Sequence, residues 1–157
     1  MSLFKLVVRW YNQQKELNKA YLFSIPTRLV LPTERYLYNL FVSITNMRGD
    51  LIKNIKSFKN SAELVYSTGD YTSSTILYFK CLFVVLDIII LQKMGKTPKD
   101  HTERFNILKE DFSELYLFLD KHYPTYRQTY SLTVNKLICD EVRKNVERII
   151  KEYKINL

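Results

Sequence analysis

Apolar residues recur at alternating intervals of three and four positions along most of this chain. Such spacing places side chains on one face of an α-helix. The first series predicts an amphipathic helix over residues 2–22 and contains Leu3, Val7, Trp10, Gln14, Leu17 and Tyr21. Pro26 and Pro32 then interrupt the pattern. The second series predicts one long helix over residues 33–67, ending before Gly69, and contains Leu37, Phe41, Ile44, Arg48, Leu51, Ile55, Phe58, Ala62 and Val65.

The third predicted helix, over residues 71–93, is apolar on nearly every side. Asp70 or Thr72 can cap its beginning, and Gly95 can end it. Its apolar run, 76–91, has 16 residues and includes Lys80 and Asp87, whereas a membrane span needs about 20 residues with few charges. We therefore expect a buried helix and no membrane partner. Because the helix has more apolar surface than one small bundle can cover, the pattern also predicts a homodimer.

Two further helices follow. The segment TPKDHTERF has the form of a helix start, with Asp100 and Glu103 as a capping box. The next apolar stripe predicts a single helix ended by Pro124 and contains Phe105, Leu108, Phe112, Leu115 and Leu119. The last helix is expected from about Tyr126 to Tyr153.

The fold class follows from these elements. The chain of 157 residues has only 3 Gly and 4 Pro, and no strand-like alternation competes with the helical periodicity. We expect an all-α up-and-down bundle of four to five helices in a single domain spanning 1–157, with an N-terminal helix in 1–25 and the bundle core in 33–157.

Charge indicates the chemistry of a partner. The formal net charge is +8, divided as +7 over residues 1–60, −3 over 61–120 and +4 over 121–157. Basic ends around an acidic middle favour an anionic partner, either nucleic acid or a membrane surface. The alternative is that the basic residues only keep the protein soluble.

Several kinds of site are not predicted. The three glycines stand apart, so neither GxGxxG nor GxxxxGK[ST] occurs. Cys81, Cys139, His101 and His122 lack the paired spacing of zinc ligands, and no metal or cofactor is expected. Two cysteines do not make a disulfide framework, and the N-terminus lacks a secretory cleavage pattern, which favours the cytoplasm.

Asp87 is the most informative polar residue of the apolar helix. A carboxylate in such surroundings needs a cationic partner, because burying an unpaired charge is costly. Lys80 lies seven residues earlier on the same face and is expected to share a buried polar cluster with Asp87; the other candidates are His101, Arg104 and Arg127. The pair is either a structural link between helices or part of a polar cleft.

Two short motifs resemble the HEPN superfamily of helical domains over about residues 50–150. A first helix ends in a turn of the Gly-Asp-Tyr type, here residues 69–71, and a Gly-x-x-Pro-x-x-His turn at 95–101 leads into the third. Active members of that family are metal-independent RNases, often toxins, which pair as homodimers. Their motif is an Arg followed four to six residues later by a His on the last helix.

In this chain Arg127 takes the place of the family's Arg, but no His falls at Leu132 to Val134. RNA cleavage needs a proton acceptor with a pKa near neutrality, which Tyr or Ser does not supply unaided. The resemblance therefore implies a non-catalytic dimeric module that binds RNA, a nucleotide or a protein partner, with these ligand-binding residues: Arg127, Tyr130, His101 and Arg104. The alternatives are an RNase with an altered site and a purely structural, partner-docking bundle.

Overall fold

The computed structural model describes the backbone of residues 32–157 and the side chains of 35–157, and all elements of this part of the chain are helices, without strands. The all-α prediction is therefore confirmed. The five helices are α1 (Pro32–Ser67), α2 (Tyr71–Met94), α3 (His101–Asp111), α4 (Ser113–Gln128) and α5 (Lys136–Glu152). The predicted helix over 2–22 lies outside the described residues.

Helices α1 and α2 form a long antiparallel hairpin, with ends close to those predicted. Gly69 turns the chain at a φ of 85°, a left-handed conformation that suits glycine, and Asp70 then caps α2 by accepting a hydrogen bond from the Ser73 N–H at 2.9 Å. Gly95, at a φ of 74°, ends α2, and its N–H donates to the Leu91 carbonyl. The Ser74 hydroxyl donates to the Ala62 carbonyl at 2.9 Å, which fixes the register of the hairpin.

The core of the protein surrounds α2. Thirteen residues of this helix are buried, among them Phe79, Leu82 and Leu86, and α1, α5 and the α3–α4 pair pack around it. By length and composition α2 is also long and apolar enough to cross a membrane, but 72% of its most apolar stretch is buried inside the protein. The surplus apolar surface from which the sequence predicts a homodimer is thus absent from α2. The homodimer stays a prediction, and it would need another surface.

The segment predicted as one helix after residue 100 is two helices, α3 and α4, and this prediction was wrong. Phe112 departs from helical geometry, with φ −144° and ψ 62°, and the chain folds back so that Phe105 and Tyr123 bring their rings to 5.0 Å. Lys93 of α2 holds the bend: its ammonium donates to the Asp111 carbonyl at 2.8 Å and lies 4.5 Å from the centre of the Phe112 ring. A contact from another helix therefore decides where the segment bends.

The start of α3 has the predicted cap with one change. The Asp100 carboxylate accepts from the Glu103 N–H at 2.8 Å, as a capping box requires. The Glu103 carboxylate, however, accepts from the N–H of Lys99 and not from that of Asp100.

The boundary between the last two helices also differs from the prediction. Pro124 lies inside α4, which continues to Gln128; the ring leaves the carbonyl of the exposed Asp120 without its helical donor, and water can replace that donor there. The final helix begins only at Lys136, where the Asn135 side chain accepts from the Ile138 N–H at 3.0 Å. Arg127 therefore stands at the end of α4 and not at the start of the last helix.

Candidate functional site

Arg104 and Asp87 form a largely buried, two-pronged ion pair between α3 and α2. The Arg104 Nε donates to one carboxylate oxygen at 2.7 Å and Nη2 to the other at 3.0 Å. The two side chains are only 9% and 13% exposed. The prediction that Asp87 contacts one of Lys80, His101, Arg104 or Arg127 is confirmed, with Arg104 as the partner, although Asp87 is only partly buried. Bidentate geometry of this kind is the strongest form of the interaction.

His101 completes this group, which we call the inner cluster: Asp87, His101 and Arg104. The Arg104 Nη1 donates to the His101 Nδ1 at 2.7 Å, and because a guanidinium only donates, Nδ1 carries no proton and the ring is the neutral Nε2–H tautomer. Burial, and secondarily the Arg104 charge, lowers the pKa of His101. The imidazole packs edge-on against the Phe83 ring at 4.6 Å.

Lys80 does not belong to the inner cluster, and this part of the prediction was wrong. Its side chain is exposed, and its ammonium lies 5.9 Å from the centre of the Phe58 ring on α1. A separation of seven residues puts Lys80 and Asp87 on the same helical face but about 10 Å apart along the axis, too far for contact. Only Asp87 of the two lies where α3 crosses α2.

Arg127 is exposed at the end of α4 and is absent from the inner cluster. Within the described part of the chain its guanidinium makes no ion pair and no side-chain hydrogen bond. It lines a shallow surface depression of about 290 Å³ together with Pro124, Gln128 and Ser131. These four residues follow one another at intervals of three, one and three, so they form one row along the end of α4.

Tyr130 lies beside this row, in the turn after α4, and exposes 76% of its surface. Its hydroxyl is 3.1 Å from the hydroxyl of Tyr126, which is buried one helical turn earlier. The Tyr130 N–H donates to the Arg127 carbonyl at 3.3 Å, which keeps the two residues in a helix-like turn. We call Arg127, Gln128, Tyr130 and Ser131 the surface strip; all four side chains are exposed.

The four predicted ligand-binding residues thus separate into two pairs. His101 and Arg104 bind each other inside the protein, whereas Arg127 and Tyr130 belong to the surface strip. The two groups are connected through Tyr126, whose ring lies 6.3 Å from the His101 imidazole and 5.7 Å from the Tyr130 ring. Arg104 already uses Nε, Nη1 and Nη2 on Asp87 and His101, so the geometry favours the structural alternative for the inner cluster.

The aromatic side chains that join the two groups were not predicted as a unit. Tyr126 contacts the rings of Phe79 and Phe83 on α2 at 5.4 and 5.2 Å, and that of Tyr123 at 5.8 Å. The spacing of Tyr123, Tyr126 and Tyr130 is helical and could have signalled one face. It was hidden because the sequence pattern placed the first of these residues in one helix and the other two in the next.

A second polar group, between α1 and α5, was also missed. The Tyr66 hydroxyl donates to Asp140 at 2.6 Å, and Glu63 accepts from Arg143 at 2.7 Å and from the buried Tyr78 hydroxyl at 2.8 Å. The hydrogen bond to Glu63 and burial raise the pKa of Tyr78, with burial the larger cause. These residues fasten α5 to α1 across α2, and every polar group named here has a partner.

The described residues contain no metal site, and the comparisons with known proteins find no match. Among the described residues no three His, Cys, Asp or Glu side chains are grouped so that they could hold a metal ion. Both cysteines are buried and free. Comparison of the chain with protein-family models, with curated proteins and with solved structures finds no match.

Proposed function

We propose that this chain is a non-catalytic helical module, similar to the HEPN superfamily, that binds RNA at the surface strip. The observation that carries this proposal is the state of Arg127: an exposed guanidinium beside a shallow depression, without a carboxylate partner in the described part of the chain. A free guanidinium presents two parallel N–H groups that match a phosphate. Its neighbours in the strip add an amide, a phenol and a hydroxyl, which are the groups that contact RNA backbones and bases.

The net charge of this part of the chain also favours an anionic ligand such as RNA. Residues 121–157, which include the surface strip, carry a net charge of +4, and the whole chain carries +8. Phosphate contacts made by such a surface release counterions, so the affinity for RNA should fall as salt is added.

The chemistry near Arg127 supports binding without cleavage. The tyrosine closest to the surface strip is a poor base at neutral pH, because burial, followed by the hydrogen bond with Tyr130, raises the pKa of Tyr126 to about 12. His101 is the only histidine of α3, and its Nδ1 is occupied by Arg104. The alternative is an RNase with an altered site, which predicts that the protein cleaves RNA with multiple turnovers.

The test is an equilibrium titration of the full chain with a short fluorescein-labelled single-stranded RNA, followed by anisotropy at several salt concentrations. Arg127→Ala should weaken binding by about 1–3 kcal/mol, the usual contribution of a charged hydrogen bond, and should lower the salt dependence. Arg127→Lys should recover only part of the affinity, because the bidentate geometry is lost. Lys144→Ala is the matched control, since Lys144 is an exposed cation of α5 without an ion pair in the described chain.

Three outcomes contradict the proposal or change it. Absence of salt-dependent RNA binding would favour the purely structural bundle. Equal losses for Arg127→Ala and Lys144→Ala would mean diffuse attraction without a site. Cleavage of the RNA by the wild type that disappears in Arg127→Ala would establish the RNase alternative. A mononucleotide added as a competitor distinguishes nucleotide binding from RNA binding, because only a nucleotide site would release the RNA.

Assembly and location complete the proposal. We propose a homodimer in the cytoplasm, for which light scattering should give about twice the chain mass of 18.8 kDa. Because 13 residues of α2 are already buried within one chain, we expect other helices to make most of the contact between copies.

A further inference from the structure

Tyr130 is exposed, and it is also in contact with a buried neighbour, Tyr126. It exposes 76% of its surface, yet its hydroxyl lies 3.1 Å from the hydroxyl of Tyr126, a residue that is only 9% exposed. The two rings meet edge to face, with centroids 5.7 Å apart and planes at 78°. An exposed tyrosine normally samples several rotamers, whereas this contact restrains both the ring and its hydroxyl.

Tyr126 is itself held firmly by the core. It is 9% exposed, and its ring contacts Phe79 and Phe83, which both belong to the buried face of α2. The position of Tyr130 is therefore set through Tyr126 by α2, the most buried of the described helices.

We propose that Tyr130 is a stacking platform for a nucleobase next to the phosphate bound by Arg127, and that Tyr126 is the positioning residue for that platform. This inference rests on the proposed RNA binding and deepens it. Arg127 and Tyr130 are three residues apart in a helix-like turn, so they are neighbours on the surface. A phosphate and an adjacent base of one strand can thus be contacted together.

The energetic reason is preorganisation. A base stacked on an aromatic ring contributes about 1–3 kcal/mol, which corresponds to roughly 5- to 150-fold in affinity. Part of this gain is lost when a mobile ring must be ordered on binding, and a ring already held in place avoids that loss. The competing explanation is that Tyr130 serves only as a hydrogen-bond partner for the hydroxyl of Tyr126.

The experiment compares two anionic ligands that differ in their bases: a short oligouridine and inorganic polyphosphate. Tyr130→Ala should weaken oligouridine binding by roughly 5- to 150-fold and leave polyphosphate binding unchanged. Tyr130→Trp keeps a stacking surface and should retain oligouridine binding. Arg127→Ala should weaken both ligands. Tyr36→Ala, which removes a tyrosine of α1 that is 62% exposed, should affect neither ligand.

The role of Tyr126 is tested by removing its hydroxyl alone. Tyr126→Phe keeps the ring contacts and should weaken oligouridine binding a few-fold without affecting polyphosphate binding, because Tyr130 is then free to rotate. Tyr130→Ala alone leaves the Tyr126 hydroxyl without its partner, whereas the double variant Tyr126→Phe with Tyr130→Ala removes both hydroxyls. The double variant should bind oligouridine as weakly as Tyr130→Ala. It therefore still tests the platform if Tyr130→Ala alone fails to fold.

The outcomes separate this inference from the proposed function. If Arg127→Ala weakens both ligands and Tyr130→Ala weakens neither, or both equally, the platform is refuted while RNA binding stands. If Tyr126→Phe leaves oligouridine binding unchanged, Tyr126 is not a positioning residue. If the wild type binds neither ligand, the proposed function fails, and the platform fails with it.

Discussion

Arg104 and Arg127 are the same side chain in two environments. The Arg104 side chain is 9% exposed and donates to Asp87 and His101 from all three nitrogens. Arg127 is exposed and makes no ion pair in the described chain. A buried guanidinium with all of its edges engaged stabilises the fold, whereas a free one can bind a ligand. The comparison predicts that substitutions in the inner cluster reduce stability, whereas substitutions in the surface strip affect the proposed RNA binding.

The largest expected effect is on the inner cluster. Asp87→Ala removes the carboxylate and leaves the Arg104 charge buried, in contact with His101 and the Phe83 ring but without an anion, so the free energy of unfolding should fall by about 3–5 kcal/mol. Denaturation by urea, followed by circular dichroism, measures it. Asp120→Ala is the control, since Asp120 is exposed on α4 without an ion pair in the described chain, and a loss below about 1 kcal/mol for Asp87→Ala would contradict the comparison.

A smaller effect is expected from pH. Burial lowers the pKa of both His101 and His122 in the folded protein, so the unfolded chain binds more protons once the pH falls below about 6.5. As far as these two histidines are concerned, the free energy of unfolding should therefore be constant above that pH and decrease as the pH falls below it. The charges that face His101 are Arg104, which opposes its protonation, and Asp87 and Asp100, which favour it.

The histidine responsible can be identified by substitution. His101→Asn retains an acceptor for Arg104 but cannot take up a proton, so unfolding measured between pH 5 and pH 8 should depend less on pH in this variant. His122→Asn measures how much of the pH dependence of unfolding is due to His122. Identical pH profiles for the wild type and both variants would show that neither histidine is responsible.

The smallest expected effect on stability is that of Arg127→Ala. An exposed cation without a partner contributes little to folding, so the free energy of unfolding should stay within about 0.5 kcal/mol of the wild type even though RNA binding is expected to weaken. Thermal unfolding and anisotropy on the same samples measure both quantities. A marked loss of stability would place Arg127 in a structural contact and remove the distinction from Arg104.

The inner cluster could be predicted in part from the sequence. A carboxylate in an apolar helix must meet a cation, and this rule led to Arg104 among four candidates. It also included Lys80, because a sequence shows which residues share a helical face but not which end of that face another helix crosses. Of the surface strip, only Arg127 and Tyr130 were predicted. Both were assigned to the last helix, whereas Arg127 lies at the end of α4 and Tyr130 in the turn that follows it.

The bend at Phe112 shows why the helix boundaries were harder. The apolar stripe from Phe105 to Leu119 keeps its spacing of three and four across the bend, so periodicity alone describes one straight helix. The contacts from Lys93 that hold the bend come from α2. Likewise Pro124 is tolerated inside α4 because the carbonyl it leaves free belongs to an exposed residue.

The sequence by itself determined the helical class, the α1–α2 hairpin with its glycine and aspartate ends, and the need for a partner at Asp87. These depend on local chemistry: side-chain periodicity, left-handed glycines and caps act within a few residues. Only the tertiary structure decided that α2 is covered within one chain, that Arg104 is the partner, and that Arg127 is free beside a restrained Tyr130. Those outcomes depend on which helices cross, and they join residues such as Asp87 and Arg104 that are 17 positions apart, beyond the reach of any local pattern.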